Sequence, residues 1–288
     1  MKTCLKIGLV THAHSSYLDS EGNHKLFKDL INQLDLSSFY ISDLDMTFPE
    51  MEQIHTKMEL DSLFTLFIFL VRTRINLIYY SKLKNLFSAF IHILNATYII
   101  FQLLSKLFLS RFSKISNQKY RLIMSRQHNI SESHIAQFID SVKSNSDFSL
   151  ILEDDFKINQ DYSIELTINS LLEFMKINSN VSVISVSESF SFSELGISNT
   201  VRNIQSDNLN LYEATLPVTN TVSAMLYKTQ FLKQILPYLL EYRKYRIIPI
   251  DHKINMALHQ IYKKKNFESD FFYFMQPGLF IQDSIHGR

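Results

Sequence analysis

The sequence predicts an α/β fold organised around a parallel sheet, and three observations near its start carry that expectation. An apolar run, Leu5 to Val10, ends in small and polar residues; Phe27, Leu30, Ile31 and Leu34 recur at helical spacing; and Phe39-Tyr40-Ile41 forms a second apolar run before Ser42-Asp43-Leu44-Asp45. A β-α-β opening of this kind puts helices on the faces of a sheet and gathers ligands at the carboxyl ends of its strands. The chain of 288 residues is long enough for two small domains or for one large α/β domain carrying an insertion.

From about residue 50 to 118 the character changes, and this stretch reads as a hydrophobic helical insertion within a single 1–288 domain. Leu63 to Val71 is apolar apart from Thr65, and residues 85–105 contain no Asp, Glu, Lys or Arg. That is long enough to span a bilayer. Against a span, Asn85, Ser88, His92, Asn95, Gln102 and Lys106 fall along one helical stripe, with Phe87, Phe90, Ile91, Leu94, Tyr98, Phe101, Leu104 and Phe108 over the rest. Flanking cations, Lys82, Lys84, Lys106, Arg111, Lys114, Lys119 and Arg121, suit a helix lying in a membrane interface. A core helix with its polar stripe in water has the same pattern.

Beyond residue 121 the α/β pattern returns. Asn129-Ile-Ser-Glu132 has the form of a capping box ahead of a helix with Ile135, Phe138, Ile139 and Val142 on one face. Further strands are expected at Val181 to Val186, Leu211 to Leu216 and Val222 to Tyr227, helices near Gln230 to Tyr242 and Asp251 to Tyr262, and loop over much of the Ser-rich stretch 182–198.

The strand expected at Phe148 to Leu152 ends abruptly in Glu153-Asp154-Asp155. Three carboxylates confined together as anions need a counter-charge, and a divalent cation supplies one. Strand alternation sends Glu153 and Asp155 to one side and Asp154 to the other, an acid-x-acid pair of hard oxygen ligands suited to Mg2+ or Mn2+ beside phosphates. A solvated acidic turn is the alternative.

The run His128-Asn-Ile-Ser-Glu-Ser-His134, a helix, and then Leu150-Ile-Leu-Glu-Asp-Asp-Phe156 resembles the bacterial lipopolysaccharide glycosyltransferases of family 25, most clearly over residues 118–160. Pro249-Ile-Asp251 and Gln276-Pro-Gly-Leu-Phe-Ile-Gln282 with Ser284 are similar in kind and order to later segments of that family, whereas its Arg-rich first loop is missing and the 50–118 insertion has no counterpart. The resemblance implies a GT-A type fold, a Rossmann-like mixed sheet flanked by helices, binding a nucleotide-sugar donor such as a UDP-sugar through a metal. It implies that Asp155 ligates the metal, Glu153 reaches it through water or contacts the ribose, Asp154 meets the donor sugar or the motif's backbone, and Ser133 and His134 lie beside the nucleotide. His134 reads equally as a partly buried residue tying helix to strand.

Other candidates rest on position. Asp251 reads as a helix N-cap or as the general base that takes the acceptor proton. His286 reads as a third metal ligand or as part of a frayed tail. His12, with His14, follows the first strand where nucleotide contacts are expected. Composition narrows the classes further: 23 Phe and 14 Tyr exclude a disordered scaffold, the single Cys4 excludes a disulfide framework, and a net charge of +1 argues against a general nucleic-acid binder. With no secretory leader read at the start, the expectation is an inverting, metal-dependent glycosyltransferase acting on a glycan or lipid-linked acceptor, peripheral on the inner face of a bacterial cytoplasmic membrane. The competing readings are a nucleotidyl- or phosphotransferase using the same metal logic, and a membrane-associated interaction protein that has lost activity.

Overall fold

The computed structural model describes residues 3–11, 17, 25–32, 34, 40–41, 63–72, 75, 94, 97–98, 101, 105, 114–188, 191–192, 197–198, 201–206, 209–215, 217, 219, 222–246, 248–266 and 271–282, with backbone alone at 25, 40–41, 114–127 and 205–206. The opening has the expected form: β1 (Leu5–Val10), α1 (Lys25–Asn32) and β2 (Tyr40–Ile41). Then come α2 (Lys114–Lys143), β3 (Phe148–Glu153), β4 (Phe156–Ile158), α3 (Ile164–Ile177), β5 (Val183–Ser185) and β6 (Ser187–Glu188). The chain finishes through β7 (Val201–Ser206), β8 (Leu209–Ala214), β9 (Ala224–Lys228), α4 (Thr229–Tyr242), α5 (Ile250–Lys264), β10 (Phe272–Met275) and β11 (Phe280–Gln282).

The main sheet is mixed, with strand order β2-β1-β3-β9-β5-β10-β8-β7. β1 lies parallel to both β2 and β3, whereas β9 runs antiparallel between β3 and β5. A smaller sheet, β4-β11-β6, continues from the end of β3.

Alternation along the strands sorts the core into two layers. Leu5, Ile7, Leu150, Leu152 and Leu226 pack with Phe27 and Leu30 of α1 and Ile168, Leu171 and Leu172 of α3. On the opposite face Val10, Ile151, Met225 and Tyr227 meet Ile135 and Phe138 of α2, Phe231 and Ile235 of α4, and Ile254 and Leu258 of α5. At about 25 cal/mol per Å2, burying each such large apolar side chain contributes roughly 1.5–3 kcal/mol before entropy is counted.

Three contacts measure how α2 lies on β1 and β3. Asp140 pairs with Lys6, the amide of Gln137 donates to the Leu9 carbonyl at 3.0 Å, and His134 meets Glu153. The helix therefore runs antiparallel to the two strands, and its residues before 134 extend past their carboxyl ends. Gly8 allows this close approach, since a Cβ there would stand 2.1 Å from Gln137 Oε1. Gly278 does the same for backbone: a Cβ would stand 2.4 Å from the Glu188 nitrogen.

Several expectations change. Asn129-Ile-Ser-Glu132 is no capping box but lies within α2, which begins at Lys114, so the helix crosses the 118 boundary set for the insertion. Helical continuity comes from packing that local capping signals do not report. β5 falls within the strand expected at Val181 to Val186, and in the stretch 182–198, expected to be loop in large part, the short β6 was not foreseen. Within 50–118 residues 63–72 are helical, with Leu63, Leu66 and Leu70 buried. No helix among the described residues is long and apolar enough to cross a membrane, and most of 85–105, where a span was weighed, lies outside them. The polar positions Asn85, Ser88, His92, Asn95 and Gln102 lie outside the described residues.

Candidate functional site

The acidic triplet sits where β3 leaves the main sheet. The Glu153 amide donates to the Ser223 carbonyl at 2.8 Å, which anchors the last residue of β3 to the start of β9, and residues 154–155 turn the chain into β4. The sheet's alternation then sends the carboxylates apart as expected. Glu153 faces the α2 layer and accepts or shares a proton with His134 Nε2 at 2.9 Å. Asp154 faces the other way and accepts from the Thr11 hydroxyl at 2.8 Å, just beyond the end of β1.

Glu153 and Asp155 are brought to one point by a residue from the far end of the chain. The Gln282 amide donates to Asp155 Oδ2 at 3.2 Å and reaches Glu153 Oε2 at 3.5 Å. β11 carries Gln282 there because it pairs antiparallel with β4, Gln282 opposite Phe156. Phe156 and Phe280, stacked edge to face at 5.6 Å, fix the two strands against each other. The three acids are only partly exposed, and Asp155 Oδ1 and Gln282 Oε1 are buried with no hydrogen-bond partner.

His134 is buried, 1% exposed, with its ring tilted against Phe138 at 6.3 Å and its Nδ1 lacking a partner. It ties helix to strand, as one of its two sequence readings held, although from the interior of α2 and not from the helix start. Ser133 is half-buried on the same turn.

Asp251 is not the N-cap: Pro249 occupies that position, and Asp251 lies inside the first turn of α5, its Oδ1 accepting from the His252 amide at 3.0 Å. The proline's fixed φ suits a helix start without needing a capping side chain. α4 follows β9 back toward the acidic end of the sheet, and Arg243 just after it grips Glu132 of α2 with Nε 2.9 Å from Oε2. α5 therefore starts at the same end as the acidic triplet, although no described contact joins Asp251 to it. His12 and His286 lie outside the described residues.

Sequence reasoning missed two functional candidates. Thr11 was visible only as part of the loop after β1, and Gln282 only as the end of a motif; each acquires a role from a partner more than a hundred residues away. Among the described residues no group of three His, Cys, Asp or Glu side chains converges as a ready metal cage. The described groove of about 400 Å3, lined by Thr3, Asp147, Phe148, Met175, Lys176, Ser179 and Lys228, lies at the amino end of β3, opposite the acids. The chain matches no protein-family model, and a search of curated proteins finds no match.

Proposed function

We propose that the protein is a metal-dependent glycosyltransferase of GT-A type, transferring a sugar from a nucleotide-sugar donor such as a UDP-sugar to a surface-glycan or lipid-linked acceptor. The single observation that carries this reading is the convergence of Glu153 and Asp155 on the Gln282 amide at the carboxyl end of β3, with Asp155 Oδ1 buried and unpartnered. A buried carboxylate oxygen without a donor is costly, and a cation satisfies it. The two carboxylates are hard oxygen donors, which suit Mg2+ or Mn2+, and the remaining coordination is left to phosphate oxygens and the His286 imidazole.

Asp155 would hold the ion directly and Glu153 through water, oriented by His134. A bound divalent ion supplies charge neutralisation for the departing nucleoside diphosphate. Asp154, fixed by Thr11, faces the opposite side and is assigned to the donor sugar. Ser133, His12 and His134 are assigned to the nucleotide's surroundings and His286 to completing the ion's shell. Asp251, on the same end of the sheet, is assigned as the base that accepts the acceptor hydroxyl proton during direct, inverting displacement.

A peripheral membrane location is part of the proposal. Phe64 and Ile68, four residues apart on the face opposite Leu66 and Leu70, are 66% and 49% exposed, and Leu94, Tyr98 and Phe101 are also exposed at helical spacing. Together with the cations that flank 85–105 in sequence, they suit the cytoplasmic face of a bacterial membrane.

Calorimetric titration of UDP in the presence of Mn2+ tests the site: binding in the wild type, lost in Asp155→Ala, is expected. Metal-independent binding of equal strength in both proteins rejects the reading. Release of free nucleoside diphosphate from a donor panel separates it from a nucleotidyltransferase, which consumes triphosphates instead, and from an inactive interaction protein, which releases nothing.

A further inference from the structure

Past the end of β3, α2 carries a second group of charged side chains that the acidic site does not use. His128 lies six residues before His134, about 9 Å further along the helix axis at ~1.5 Å per residue, and Glu132 lies between them. α4 and α5 pack against this part of α2. Arg243 is clamped on Glu132, and His128 stands in the combined field of Glu132, Lys253, Arg246 and Arg243.

Lys253 is the unusual member. It is 0% exposed, in the second turn of α5, and its ammonium has no hydrogen-bond partner. A buried ammonium of this kind loses its hydration without compensation. Among the described residues Glu132 is the acid that acts on it, and the guanidinium of Arg243 already occupies that carboxylate. His128 Nδ1 is buried and unpartnered as well. Among the described residues the junction gathers Lys253, Arg243, Arg246 and Glu132 about His128, beside the amino terminus of α5, whose backbone dipole favours an anion.

We infer that the junction of α2, α4 and α5 is a binding site for a phosphoryl group, held by Lys253, His128 and Arg246 next to the first turn of α5. An oxyanion there gives the orphaned Lys253 ammonium an acceptor. The site lies on the same end of the sheet as the acidic triplet and beyond it, so it suits a phosphate on a substrate that spans both. Its use by a transferase substrate rests on the function proposed above; phosphate binding itself does not.

Inorganic phosphate titrated into the full-length protein without divalent metal, followed by calorimetry, tests the site. Binding weakened at least tenfold in Lys253→Met, and likewise in Arg246→Met should the first variant fold poorly, is the expected result, with Lys263→Met at the exposed end of α5 as the control that stays unchanged. No phosphate binding, or equal binding in all variants, overturns the inference. Two competition arms identify the source: displacement by a sugar phosphate or short polyprenyl phosphate assigns the site to the acceptor, and displacement by UDP without metal assigns it to the donor. Displacement by neither overturns the assignment to a substrate. Loss of UDP and Mn2+ binding in Asp155→Ala reads the acidic site separately, so failure of one site leaves the other's result intact.

Discussion

His134 and Glu153, 19 residues apart in sequence, are joined by a 2.9 Å hydrogen bond that locks α2 to the end of β3. The histidine is buried and the acid is partly open, so the bond orients a carboxylate that still faces the site. Replacing His134 with Phe keeps the ring's bulk against Phe138 but removes the donor. The expected cost is about 1–3 kcal/mol in urea unfolding, with a weaker Mn2+-dependent affinity for UDP, because Glu153 is then left to the long 3.5 Å contact with Gln282. Unchanged nucleotide affinity at reduced stability would assign His134 to the fold alone.

Gln282 holds two carboxylates with one amide, and Gln282→Leu removes that donor while keeping the volume. Glu153 and Asp155 then repel each other unscreened by any described donor between them. The variant is expected to melt lower in the presence of EDTA and to recover most of the loss on addition of Mn2+. A deficit that Mn2+ fails to reduce counts against ion binding at this point.

The two glycines at close approaches predict different penalties. At Gly8 a new methyl meets the end of the Gln137 side chain, which can swing aside at the cost of its bond to Leu9; at Gly278 it meets the backbone of Ser187 and Glu188, which cannot. Gly8→Ala is therefore expected to cost about 1 kcal/mol and to be less than additive with Gln137→Ala, while Gly278→Ala costs roughly 2–3 kcal/mol. Denaturant midpoints of the wild type, the three single variants and the Gly8→Ala/Gln137→Ala double variant decide it, and equal penalties at the two glycines contradict the account.

His259 makes the helical layer acid-sensitive. Its ring packs edge-on against Phe69 at 5.4 Å, its Nε2 is buried without a partner, and burial, helped by the nearby Arg72, pushes its pKa down from 6.5 to about 4. The unfolded chain thus takes up this proton at higher pH than the folded one. The stability it contributes is complete above pH 6.5 and is lost as pH falls toward 4, by up to about 3 kcal/mol. His259→Phe is expected to flatten the stability profile over that interval, as read by urea unfolding at successive pH values.

Lys253 has the same sign in the alkaline range. Burial lowers it to about 8 from 10.5, with Glu132 opposing the shift and Arg243 adding to it. Below pH 8 the folded protein carries the full burden of a buried cation, and stability rises with pH between 8 and 10.5 as the folded lysine releases its proton first. In phosphate-free buffer Lys253→Met is expected to be more stable than the wild type at pH 7, by no more than about 3 kcal/mol, with the advantage shrinking as pH rises through that window. A constant difference across the range contradicts the assignment.

The sequence by itself determined the kinds of element and the direction of their side chains. Helical spacing at Phe27 and Leu30 marks the buried face of α1, and period-two alternation after Leu152 already separates Glu153 and Asp155 from Asp154, because these faces follow from backbone geometry within a few residues. Strands as short as β4, β6 and β11 offered no such period to read. Tertiary structure alone decided that α2 continues through its apparent cap, that Thr11 meets Asp154 across 143 positions, and that Gln282 spans 127 to reach Asp155. Those meetings depend on strand order and register, which are set by how whole layers bury their apolar faces; no local pattern encodes them.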